Sequence, residues 1–170
     1  MRHTLARRAT ILTAALGLAL TGAIPVASAS ASAPAAPAAA KANAPVTVTL
    51  TVRGPDNSTL FNGPVATTGH TVTTASGGTH KCDGTNNGAN PTPGATPTAA
   101  LDDAAKKQHF TWDGTWYPSF DDYFVTTVAG TGGGSDAYWN ISVNGTPTPV
   151  GGCQFRIKAG DKVAFTWTKL

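Results

Sequence analysis

The last stretch of the chain, residues 137–169, constrains the fold more than any other: AYWNISVNGTPTPVGGCQFRIKAGDKVAFTWTK. Trp139, Ile141 and Val143 alternate with Asn140 and Ser142, the period-two pattern of a strand that buries one face. On that parity Trp139 belongs to the core and Tyr138 to the opposite side. Asn144-Gly145 follows, and both residues tolerate the positive φ that a tight hairpin turn demands. Phe155 and Ile157 then alternate with Arg156 and Lys158, which predicts a further strand. Gly160-Asp161 turns the chain once more, and Val163, Phe165 and Trp167 complete an apolar face. A segment patterned in this way has to sit in a sheet.

The first part of the domain reads similarly. Val46, Val48, Leu50 and Val52 face one way, while Thr47, Thr49, Thr51 and Arg53 face the other, so a half-buried strand spans 46–53. Gly54-Pro55-Asp56-Asn57 forces a turn. A second strand over 59–66, broken at Asn62-Gly63-Pro64, completes a hairpin, and 70–74 adds a short strand. Residues 75–98, mostly Gly, Thr, Asn and Pro around Cys82, read as one long loop. A helix begins at Pro97, capped by Thr96, with Leu101, Ala104, Ala105 and Gln108 at helical spacing. Asp102-Asp103 and Lys106-Lys107 pair four residues apart along what reads as a solvated face. One helix on a mixed, strand-rich sheet is an α+β arrangement.

Residues 1–29 read as a signal peptide: Arg2, Arg7 and Arg8, an apolar run from Ile11 to Ala23, then Ala27-Ser28-Ala29. The run is shorter than the ~20 apolar residues that span a bilayer. An Ala/Pro/Ser leader over 30–45 and one folded domain over 46–170 follow. The whole chain carries 12 Lys plus Arg against 9 acidic residues, all of them Asp. Without the three arginines of the signal the charges balance, so the exported part has no basic field for nucleic acid or an anionic membrane. Cys82 and Cys153 both lie in the exported part, where an even pair is most simply a disulfide. With His80 they offer three ligands, short of the four-ligand set of a structural zinc site.

The pattern resembles the transcobalamin-like C-terminal domain family, DUF4430. The residues that carry the resemblance run from Val46 to Val52, Leu60-Phe61-Asn62-Gly63, the helix at Leu101, and 123–130. Tyr138-Trp139, Val143-Asn144-Gly145 and Lys158-Ala159-Gly160-Asp161-Lys162-Val163 complete the set. The resemblance implies a β-grasp-like fold of the soluble-ligand-binding type, with no catalytic residues to carry over. In the vertebrate vitamin B12 carriers a related β domain covers one face of cobalamin while a helical domain holds the other. This chain shows no helical partner domain and has the long loop around Cys82.

The segment 110–124 is the richest in aromatic residues. Phe110, Phe120 and Phe124 are expected in the core. Trp112, Trp116 and Tyr117, with Tyr138, are the candidate ligand platform, because flat rings stack on sugars and other planar ligands. Asp83-Gly84-Thr85-Asn86-Asn87 reads as an Asx-rich turn rather than a calcium loop, since no bidentate acid closes it. His70, His80 and His109 are the histidines of the exported part. No Gly-x-Ser-x-Gly elbow accompanies them, and no thiol is left over as a nucleophile. The sequence therefore predicts a secreted, extracellular or cell-surface, monomeric binding module that is not an enzyme and needs no cofactor. Its partner is a soluble small molecule, a glycan or an extracellular protein. The alternatives are a protein-interaction or inhibitor domain using the loop beside Cys82, over 86–97, and a secreted hydrolase using His and Asp.

Overall fold

The computed structural model describes residues 42–170. The segment 1–29 and most of 30–45 lie outside the described residues. In chain order the elements are β1 (Val46–Arg53), β2 (Thr59–Thr67), β3 (His70–Thr74), β4 (Gly78–Cys82) and helix α1 (Pro97–Gln108). Then come β5 (Trp112–Tyr117), β6 (Asp122–Val128), β7 (Thr131–Gly132), β8 (Ala137–Val143), β9 (Thr146–Pro147) and β10 (Lys162–Lys169). The main sheet has the order β2-β1-β10-β8-β9, with β1 and β10 parallel at its centre and antiparallel neighbours on each side. Two smaller sheets, β3-β4 and β5-β6-β7, complete an α+β fold.

The alternation read from β1 is realised: Val48, Leu50 and Val52 are buried to 1% exposure or less, beside Val163 and Phe165 of the parallel partner. Helix α1 lies across β1 and β2 and adds Ala100, Leu101 and Ala104 to the same core, which Trp139 also enters. Thr96 accepts a hydrogen bond from Ala99 N, Pro97 opens the helix, and His109 ends it in a left-handed conformation. No helix among the described residues is long and apolar enough to cross a membrane.

Four local expectations change. Strand β2 runs unbroken through Asn62-Gly63-Pro64, because it is the edge strand, where a proline is tolerated. The expected loop over 75–98 contains β4, which pairs with β3 from Thr74↔Gly78 to His70↔Cys82. Polar residues and a single buried side chain at its end hide that strand from an apolar-pattern reading. Residues 155–158 form no strand: Ile157 is buried and Arg156 exposed as their alternation suggests, but Ile157 N donates to Ala95 O in a loop. Asp102, expected on a solvated helix face, is only 4% exposed.

The disulfide between Cys82 and Cys153 closes 71 residues and ties the end of β4 to the segment after β9. The Asx turn forms as expected, with Asp83 Oδ1 accepting from Thr85 N and Oγ1. At the start of the described residues, Asn43 exchanges two hydrogen bonds with the Gly69 backbone and donates its own N–H to Pro93 O.

Candidate functional site: an aromatic groove over a buried carboxylate

The β5-β6 hairpin sorts the aromatic segment by strand parity. Trp116 pairs with Tyr123 and Gly114 with Val125, and these residues face inward. Tyr117 pairs with Asp122 and Thr115 with Phe124, which places Tyr117, Asp122 and Phe124 on the other face. The turn between the strands closes through Phe120 N→Tyr117 O and Asp121 N→Pro118 O, with Asp121 at φ 49°. It turns Phe120 outward. Phe120 and Phe124, expected in the core, are therefore 66% and 48% exposed, and Tyr123 and Val125 take the core positions instead. Phe110 packs partly buried against the core and next to Phe61.

Residues 149–154 face this hairpin and supply the second wall. The disulfide holds that segment at Cys153, and the Gln154 side chain donates across to Phe120 O. Between the walls lies a cavity of about 470 Å³ lined by Tyr117, Phe120, Phe124 and Val150, with Asp122 at its floor and Gln154 at its edge. The ring centroids of Tyr117 lie 6.4 Å from those of both Phe120 and Phe124. Of the five large apolar side chains exposed among the described residues, four stand in this groove; the fifth is the terminal Leu170.

Asp122 is 4% exposed and accepts hydrogen bonds from Cys153 N and Tyr123 N. Burial pushes its carboxyl up to about 7, the backbone N–H groups of Cys153, Tyr123 and Gln154 pull the other way, and the charge of Asp121 adds to the rise. Gly151 is required beside it, because a Cβ there would run into the carboxylate.

The four expected platform residues are distributed over four places. Tyr117 lines the groove. Trp116 lies behind it, stacked on His80 at 3.9 Å with the rings 1° from parallel, and Tyr123 meets both edge-on. Trp112 donates through Nε1 to Asp102, beneath the helix. Tyr138 sits half-buried on β8, paired with Thr168 in the main sheet, and is not part of the groove. Phe120, Phe124 and Val150 were not singled out as site residues by the sequence; the Pro118-to-Asp121 turn was the one signal that could have placed Phe120 outside.

A second cluster is built around Asp102. Its carboxylate meets His70 Nε2 at 3.0 Å, Lys106 Nζ at 2.6 Å and Trp112 Nε1 at 3.2 Å. Burial raises the Asp102 pKa, but the hydrogen bonds from His70, Lys106 and Trp112 outweigh it and hold the carboxyl below its ordinary value. His70 Nδ1 lies 3.0 Å from Thr68 O. Both ring nitrogens thus face acceptors, an arrangement only the imidazolium satisfies with two donors. The bond to Asp102 raises the His70 pKa, burial opposes it, and Thr68 O adds to the rise. His70, Asp102 and Asp103 bring ligand atoms within 4.8 Å of one another, but the Lys106 ammonium already meets Asp102.

The expected interaction loop over 86–97 is exposed only between its ends. Asn86 is fully buried and donates to Lys81 O and Asp121 O, while Asn90 donates to Gly84 O.

Helix α1, both walls of the groove and the closing strands all fall in the part of the chain that known families match. Residues 94–169 match DUF4430, a domain of unknown function. The resemblance read from the sequence is borne out over this span; the β1-β2 and β3-β4 hairpins precede the DUF4430 match. Among solved structures, haptocorrin in complex with Cbi aligns at TM-score 0.49 and 16% identity. The alignment covers 75% of this chain and 26% of that one, so this chain spans about a quarter of haptocorrin's length. No curated protein sequence matches the chain.

Proposed function

We propose that this protein is a secreted, non-catalytic binding module that holds a soluble ligand in the groove of Tyr117, Phe120, Phe124 and Val150. The observation that carries this reading is the gathering of four exposed apolar side chains over one cavity. Apolar patches of this kind cost solubility and mark binding sites, and a few hundred Å³ suits a small molecule or one face of a larger one. The disulfide supports an extracellular location. The groove has apolar walls and few polar groups, which favours a small molecule with a flat or apolar face over a glycan. The best-formed His–Asp pair, His70 with Asp102, has both ring nitrogens on acceptors and so offers no lone pair to act as a base. That favours binding over hydrolysis.

Calorimetric titration of the oxidised domain with apolar and planar compounds, corrinoids and cell-wall glycans tests this reading. The Phe120→Ser/Phe124→Ser double variant serves as the comparison. Both rings are largely exposed, so the substitutions should leave the folded domain intact while any binding seen with the parent falls at least tenfold. Binding retained in the variant would move the site away from the groove.

A further inference from the structure

Resting on the reading of the groove as a ligand site, we infer that the ligand is an organic cation. It is a small molecule whose apolar body lies on Tyr117, Phe120 and Phe124 and whose ammonium group approaches the Asp122 carboxylate. Asp122 and Asp102 differ in what meets their carboxylates. The two aspartates are equally buried, at 4% exposure. Asp102 is met by a lysine, a histidine and an indole N–H. Asp122 is met by backbone N–H groups alone and takes part in no ion pair among the described residues. A buried carboxylate without a counter-ion is costly, and a cation brought to it recovers much of that cost.

Asp122 lies at the floor of an open groove rather than inside closed packing, so the counter-ion can come from solution. Among the described residues no Lys, Arg or His lines the groove, and Asp121 adds negative charge beside the turn, so an anionic ligand meets repulsion and no partner. The walls agree with the floor. Aromatic faces carry negative electrostatic potential and attract an ammonium group placed within about 6 Å of a ring centroid. One site thus offers the apolar contact, the ring faces and the carboxylate that a hydrophobic amine needs.

Ionisation of Asp122 also fixes the pH response. The titratable groups beside Asp122 are Tyr117 and Asp121 on the hairpin, while Tyr123 turns its hydroxyl to Val72 O and Gly78 O on the other face; on the opposite wall Cys153 is held in the disulfide. Affinity for a cation therefore rises as Asp122 ionises, towards and above pH 7.

Three probes sharing one apolar body separate the possibilities: 3-phenylpropylammonium, 3-phenylpropanol and 3-phenylpropanoate, titrated calorimetrically into the oxidised full-length domain at pH 5.5 and pH 8. The ammonium should bind at least tenfold tighter than the alcohol at pH 8, the carboxylate should bind weakest, and the preference for ammonium should shrink at pH 5.5. In Asp122→Asn the ammonium should fall to the level of the alcohol at both pH values. The pH profile of the parent protein gives the same answer should the variant not fold. Equal binding of ammonium and alcohol at pH 8 would overturn the cation assignment while leaving the groove as a binding site. Binding of all three probes that survives Phe120→Ser/Phe124→Ser would overturn the groove itself, and no binding by any probe would overturn both.

Discussion

Replacing Asp122 with Asn removes a group whose carboxyl burial has pushed up to about 7 from an ordinary 3.8. Between those two values the folded protein holds a proton that the unfolded chain has released. Stability therefore falls as the pH rises, by about 1.4 kcal/mol per unit where the difference is complete, or about 4 kcal/mol over the whole window. His70 acts later: its raised pKa contributes stability that is full below 6.5 and lost as the pH rises through the folded value. Asp102, held low, contributes stability that is present above 3.8 and lost as the pH falls through its folded value. The interval from pH 4.5 to 6 thus belongs chiefly to Asp122, and about 2 kcal/mol should disappear across it. Urea unfolding with the disulfide intact, repeated across that interval, reads the slope directly. Asp122→Asn should flatten it. A flat profile in the parent protein, or the same slope in the variant, would refute the account of Asp122 as a buried, unpaired acid.

The Cys82–Cys153 bridge closes 71 residues, so in the chain-entropy model the Cys82→Ser/Cys153→Ser variant should lose roughly 4 kcal/mol, measured by the same urea titration. Asp102→Ala strands the His70 ring and the Trp112 indole N–H, while the largely exposed Lys106 ammonium returns to water, and should cost about 2 kcal/mol at pH 6; a loss under 1 kcal/mol would show that the cluster is solvated in the folded state.

Much of the framework was legible because it rests on short-range rules. The flawless alternation of 46–53, the Thr96-Pro97 helix start, the Asn144-Gly145 turn and the two cysteines each fix their element locally. What was not legible depends on partners distant in sequence. Strand β4 exists because β3 lies beside it, not because of its own apolar content. Pro64 fits a strand because that strand is an edge. Asp102 is buried because His70 and Trp112 converge on it from other elements.

The groove was half legible. The aromatic density of 110–124 marked the region and Tyr117 marked one wall. Which rings face outward was decided by the strand parity set at the β5-β6 turn, and that exchanged Tyr123 for Phe124 in the core. The second wall comes from residues 149–154, in which Cys153 is the only signature, and they are placed by its disulfide and by the bonds of Cys153 N to Asp122.

Amide chemical-shift mapping of the ¹⁵N-labelled, oxidised domain, titrated with 3-phenylpropylammonium at pH 8, tests the central claim most directly. The account predicts that the largest shifts fall on residues 117–124 and 149–154, the two walls that share Asp122 and Cys153. Shifts centred instead on the exposed 87–92 loop, or on Tyr138 and its neighbours on β8, would contradict it.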